Sequence, residues 1–181
     1  MALEYWREYR TYFHIAGDWQ LSESTVCRLV QRVETTLMAS GKLRLPGKKV
    51  LNHTGFATPD IVLLDVTETP IERPKSKQRR FYSGKKKRHT LKLQLVVEQE
   101  SGRIICLYCG PGQRHDFALL KASGVCFHLE IESIADSGYQ GIAEYHENSY
   151  IPRKKPKTGE LSALEKGYNR ALGQERISIE H

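Results

Sequence analysis

The stretch IVLLDVTETPIERPKSKQRRFYSGKKKRHTLKLQLVV, residues 61–97, decides the fold. Its first four residues are apolar, Asp65 follows, and a dense basic segment then leads into a run that alternates apolar and polar side chains. A short apolar run bounded by turn residues predicts a buried strand over 61–67, and the alternation predicts a half-buried strand over 90–97. Asp65 is therefore expected at the end of a buried strand. A carboxylate there is costly unless it is paired, holds a metal or emerges into solvent, and the strand alone leaves surface and site roles both open.

Two more stretches repeat the pattern of apolar residues followed by an acid. In IESIADSGYQG, 131–141, the run ends in Asp136, a Ser-Gly turn and the helix-like GIAEYHE. LSALEKGYNRALGQERISIEH, 161–181, reads as one helix carrying Glu175 and Glu180. Three separated carboxylates, two at strand ends and one on a helix, can converge on a divalent cation, for which hard oxygen donors are the right ligands. Glu175 and Glu180 stand five positions apart on different faces of that helix, so at most one of them reaches the aspartates.

Length and charge bound the rest. A chain of 181 residues buries one good core with room for a small accessory domain. A net charge of +7 favours a polyanionic partner, nucleic acid first among them. There is no run of about 18 apolar residues and no apolar core of a signal peptide at the N-terminus, so a cytoplasmic protein that does not engage a membrane is expected. The four cysteines then read as free thiols. Cys106 and Cys109, with Cys126 and His128, have the residue types of a zinc site, but side chains three apart in a strand point to opposite faces.

Before residue 61, ALEYWREYRTYFHIAG has Leu3, Tyr5, Trp6, Tyr9, Tyr12, Phe13 and Ile15 at helical spacing and predicts one helix. A turn at GDWQL precedes SESTVCRLVQRVETTLMAS, where Ser22 or Ser24 caps a helix and Val26, Leu29, Val30 and Val33 supply its buried stripe. Residues 1–39 thus read as helix, turn, helix, with Ser24, Thr25, Arg28 and Arg32 facing a major groove; a plain helical hairpin with one basic face has the same pattern. Residues 40–60, rich in Gly, Pro and Lys, read as a linker, and 61–181 as the second domain. Within it Lys85, Lys86, Lys87 and Arg88 are expected on a hairpin beside Asp65, and Arg153, Lys154 and Lys155 on a loop after a strand at 150. Asp116 is expected to cap a helix after the turn GPGQR, with His115 close enough to contact a phosphate or water.

The blocks DVTETPIERPK (65–75), YSGKKKRHTLKLQ (82–94), GPGQRHDFALL (110–120), IADSGYQGI (134–142) and ERISIEH (175–181) together resemble the DDE-superfamily endonuclease domain of bacterial insertion-sequence transposases, the group akin to Harbinger elements. The region before them resembles that family's helix-turn-helix segment. The resemblance implies an α/β fold with a ribonuclease-H-like mixed sheet and flanking helices. It also implies metal-dependent cleavage and transfer of DNA strands at insertion-sequence ends. Carried over residue by residue, Asp65, Asp136 and Glu180 are the catalytic acids and hold two Mg²⁺, or Mn²⁺ as substitute, with Asp65 bridging both ions. By helical spacing Arg176, one turn before Glu180, either faces the same site, where with His115 and Asp116 it is an auxiliary residue that holds a phosphate or orients a carboxylate, or is a solvent-facing helix arginine. The partners implied are element terminal repeats, target DNA and further copies of the same chain.

The chain departs from the family pattern at two places. Gly173 stands where many relatives have an aromatic residue, and a lysine seven positions after the glutamate would lie beyond His181. The sequence ends inside a helical pattern without a Gly or Asn cap, so a shortened reading frame is expected. Two other functions share the motifs: a catalytically silent DNA-binding fragment, and a Harbinger-derived nuclease without a role in transposition.

Overall fold

A computed structural model of the protein describes residues 1–8, 10–53, 55 and 58–180, with the side chains of Ser178 and Glu180 outside the description. Tyr9 of the expected N-terminal stripe and His181 also fall outside it. The chain forms two compact units, Met1–Arg44 and the remainder from Leu45.

The first unit has three helices, α1 (Ala2–Glu8), α2 (Tyr12–Trp19) and α3 (Glu23–Ala39). The single helix expected over 2–17 is broken because the extended Thr11 caps α2, its hydroxyl accepting from the His14 N–H. Gln20 ends α2 in the left-handed conformation, φ 52°, and Ser22 caps α3 by accepting from the Thr25 N–H at 3.2 Å. Ile15, Ala16, Val26 and Val30 form the buried centre, and the stacked rings of Tyr5 and Tyr12 lie 4.7 Å apart beside it. Leu3 and Phe13 instead point to solvent, and Leu29 and Val33 only flank the buried stripe.

The second unit is a mixed sheet of β1 (Ile61–Pro70), β2 (Tyr82–Ser83), β3 (Arg88–Glu98), β4 (Ile104–Pro111), β5 (Glu132–Ala135) and β6 (Ser149–Tyr150). Helices α4 (Gln78–Phe81), α5 (Asp116–Ser123), α6 (Ile142–Tyr145) and α7 (Ala163–Glu180) accompany it. Antiparallel pairing joins β4 to β3 and β3 to β1, β5 and β6 run parallel to β1, and the short β2 pairs with the start of β3. This is the ribonuclease-H-like arrangement. The apolar run 61–64 is explained by cover on both faces. Val62 and Leu64 join Val96, Ile105, Leu120 and Ile142 on one face, while Leu63 meets Ile134 of β5 and Leu172 of α7 on the other. From the stretch that reads as a linker, Leu51 is fully buried in the first of these clusters, and the Gly47 N–H donates to the Ile105 carbonyl.

The expectation that β1 ends near Asp65 is corrected. Pairing with β3 continues to Pro70 opposite Thr90, so Asp65 sits mid-strand, at the point where the parallel partner β5 stops. The strand expected from Tyr150 onward is likewise reduced to the two residues of β6. Cys106 packs against the core and Cys109 is exposed, as the strand period requires. Among the described residues no helix is long and apolar enough to cross a membrane. Because Leu64 is fully buried at the middle of the larger cluster, Leu64→Ala is expected to lower stability by about 3 kcal/mol, measured as a shift of the urea unfolding midpoint at unchanged slope.

Candidate active site

The parallel register pairs Leu64 with Ala135, so the next residues in each chain, Asp65 and Asp136, stand side by side where β5 ends. Neighbouring strands run about 4.8 Å apart. Alternation puts Leu64 and Ala135 in the larger cluster and turns Asp65 to the opposite face with Leu63, toward α7. Asp136 leaves the sheet with extended backbone and caps a 3-10 turn, Oδ1 accepting from the Gly138 N–H at 2.8 Å.

Helix α7 supplies the third side of the site. Tyr168, Leu172 and Ile179 pack it on the sheet, and Arg176, on the same stripe, donates from Nη2 to Asp65 Oδ1 at 3.3 Å. The Arg176 side chain is 11% exposed and that of Asp65 26%, so the pair is mostly shielded from water. Glu180 follows Arg176 by one turn at the end of α7, and its side chain lies outside the described residues. Glu175 is turned away: Oε2 accepts from Gln99 Nε2 at 2.6 Å, beside the first residue of β1, since the Gln99 N–H donates to the Ile61 carbonyl.

Asp116 is not the helix cap. His115 occupies that position, without a side-chain capping bond, and Asp116 is the first residue of α5. Its carboxylate is instead held by Lys92, Nζ lying 2.7 Å from Oδ1. The same ammonium donates to the Arg114 carbonyl at 2.8 Å and lies 3.6 Å from Glu68 Oε1, whose carboxylate accepts from Ser83 Oγ. Sequence patterns missed Lys92 and Glu68, although the register sets them opposite each other across β1 and β3. A charged residue in phase with the buried Thr90, Gln94 and Val96 was the available signal. His115 is exposed beside Arg114.

A cleft lined by Asp65, Val66, Thr67, Glu68, Lys92 and Asp116 also takes in Lys85 and Lys86. The basic turn thus reaches the acids, while Lys87, in the left-handed conformation, and Arg88 lie further along it. Arg153 is fixed elsewhere, its N–H donating to Asn169 Oδ1 and its guanidinium 5.7 Å from the Tyr168 ring; Lys154 and Lys155 are exposed. On α3, Ser24, Arg28 and Arg32 are exposed, while Thr25 is half-buried with its hydroxyl bonded to Ser22.

Burial pushes the Tyr139 hydroxyl far up, and the negative charges of Asp116, Asp136 and Asp65 add to the shift while Arg176 opposes it. Among the described residues no three acidic, histidine or cysteine side chains form a ready metal cage. The adjacent aspartates nevertheless offer the oxygen donors that suit a hard divalent cation, and each already has one oxygen oriented by a neighbour.

A family model described as DDE superfamily endonuclease matches residues 64–181, and one described as helix-turn-helix of DDE superfamily endonuclease matches residues 1–43. The chain belongs to the DDE superfamily endonucleases, a family whose activity depends on divalent metal. It is 52% identical over 181 residues to the "Probable transposase for insertion sequence element IS702" of Microchaete diplosiphon, an alignment that takes in all of this chain and 65% of that relative. The chain thus spans just under two thirds of the relative's length. No solved structure matches.

Lys92, 12% exposed, holds two carboxylates that are themselves mostly buried. Lys92→Met leaves both without their cation and is expected to destabilise the protein by about 3 kcal/mol, read as a lowered urea midpoint.

Proposed function

We propose that the protein is a transposase that cleaves DNA strands at insertion-sequence ends and joins them to a target. The observation that carries this reading is the register that sets Asp65 beside Asp136, with Arg176 of α7 on Asp65. Asp65, Asp136 and Glu180 would hold Mg²⁺, two ions being expected. When bound, the ions activate the attacking water or 3′-hydroxyl and stabilise the leaving oxygen.

The residues of the chain perform the remaining tasks. Arg176 fixes the orientation of Asp65, and its guanidinium has the fork geometry that suits a phosphate oxygen. Lys85 and Lys86 lie along the DNA backbone at the rim of the acidic cleft, where each neutralised phosphate releases counterions and makes binding salt-sensitive. Arg153, Lys154 and Lys155 extend that backbone contact. In cleavage, water adds to phosphorus as the bond to the 3′ oxygen breaks, leaving a 3′-hydroxyl and a 5′-phosphate. In transfer, that 3′-hydroxyl attacks a target phosphate and displaces its 3′ oxygen.

The exposed Ser24, Arg28 and Arg32 of α3 enter the major groove of the element end, with Thr25 at the rim. Copies of the chain meet on two such ends.

The purified chain is expected to nick supercoiled DNA in Mn²⁺. Asp65→Ala, Asp136→Ala and Glu180→Gln each reduce nicking by about 100-fold or more, whereas Glu175→Gln, directed at Gln99, stays near the unmutated rate. Equal nicking by all five proteins contradicts the enzyme reading and leaves a DNA-binding remnant.

A further inference from the structure

Asp116 is fixed at one oxygen and turned toward the aspartates at the other. Lys92 holds Oδ1 at 2.7 Å and is itself anchored on the Arg114 carbonyl. Oδ2 faces Gly138, where an added Cβ would lie 2.4 Å from it and 2.9 Å from Asp136 Oδ1. The two carboxylate oxygens are therefore within about 5 Å of each other, a separation at which like charges repel unless a cation or a donor intervenes. Only a residue without a Cβ fits between them.

A second observation points to something bound there. Tyr139 is fully buried, and its hydroxyl has no hydrogen-bond partner among the described residues. Buried polar groups are nearly always bonded to protein or to ordered water. The charges of Asp116, Asp136 and Asp65 act on this hydroxyl, and water held at those carboxylates would give it a partner. Since no three acids among the described residues gather closely enough to hold one ion directly, Asp116 is suited to reach it through water.

We propose that Asp116, oriented by Lys92, is a positioning residue of the metal centre: it accepts a hydrogen bond from water on the cation that Asp136 binds. The inference rests on the metal-centre reading of Asp65 and Asp136. Carboxylates in this role orient the ligands and bound water of a metal site, and their loss costs about 10- to 100-fold in metal affinity.

The test is Mn²⁺ binding to the full chain without DNA, followed by the EPR signal of free Mn²⁺. Asp116→Asn is expected to weaken binding by about tenfold or more with an unchanged circular dichroism spectrum, and Asp116→Glu to recover part of the loss. Unmutated affinity in Asp116→Asn, beside weakened binding in Asp65→Asn and Asp136→Asn, overturns this inference and leaves the metal centre standing. Unmutated affinity in all three overturns both. Should Asp116→Asn fail to fold, Asp116→Ser, which leaves Lys92 paired with Glu68, carries the same comparison.

Discussion

The site depends on one constraint, the parallel register between β1 and β5 that makes Asp65 and Asp136 neighbours. Carboxylates brought together in this way repel each other. A sheet that sets them together needs compensation. Arg176 supplies it at Asp65, the Gly138 N–H at Asp136, and Lys92 at the nearby Asp116. Among the described groups, the Lys92 ammonium is shared between Asp116 and Glu68. Adjacent oxygen donors of this kind suit a divalent cation.

That register cannot slip. Moving β5 by one residue would exchange Ala135, in the larger cluster, for Ile134, which packs under α7 with Leu63 and Leu172. The apolar packing of both faces therefore positions the acids, and α7 is seated by the same contacts that bring Arg176 to Asp65. The chemistry is placed by the core.

Much of this was legible in the sequence. Apolar runs ending in an acid located β1 and β5, and alternation located β3; of the two acids on the last helix, Glu175 is turned to Gln99. What failed to read depends on partners distant in sequence. Asp116 has the residue type and position of a helix cap, yet Lys92, 24 positions away, claims its carboxylate. Asp65 looked like a strand end because the buried half of β1 stops there, while β3 continues the strand on the other side to Pro70. The break between α1 and α2 was local, written in Thr11 and His14, but the aromatic stripe through Tyr5 and Tyr12 is continuous in sequence and masked it.

Asp65 and Asp136 are proposed to bind a divalent cation where β5 ends beside β1. Paramagnetic broadening by substoichiometric Mn²⁺ in the amide spectrum of the ¹⁵N-labelled protein tests it most directly. The account predicts that the signals of residues 64–67 and 135–139 vanish first. Loss centred on another acidic region, such as the corner at Glu98 and Glu100, or uniform broadening across the sheet, would contradict it.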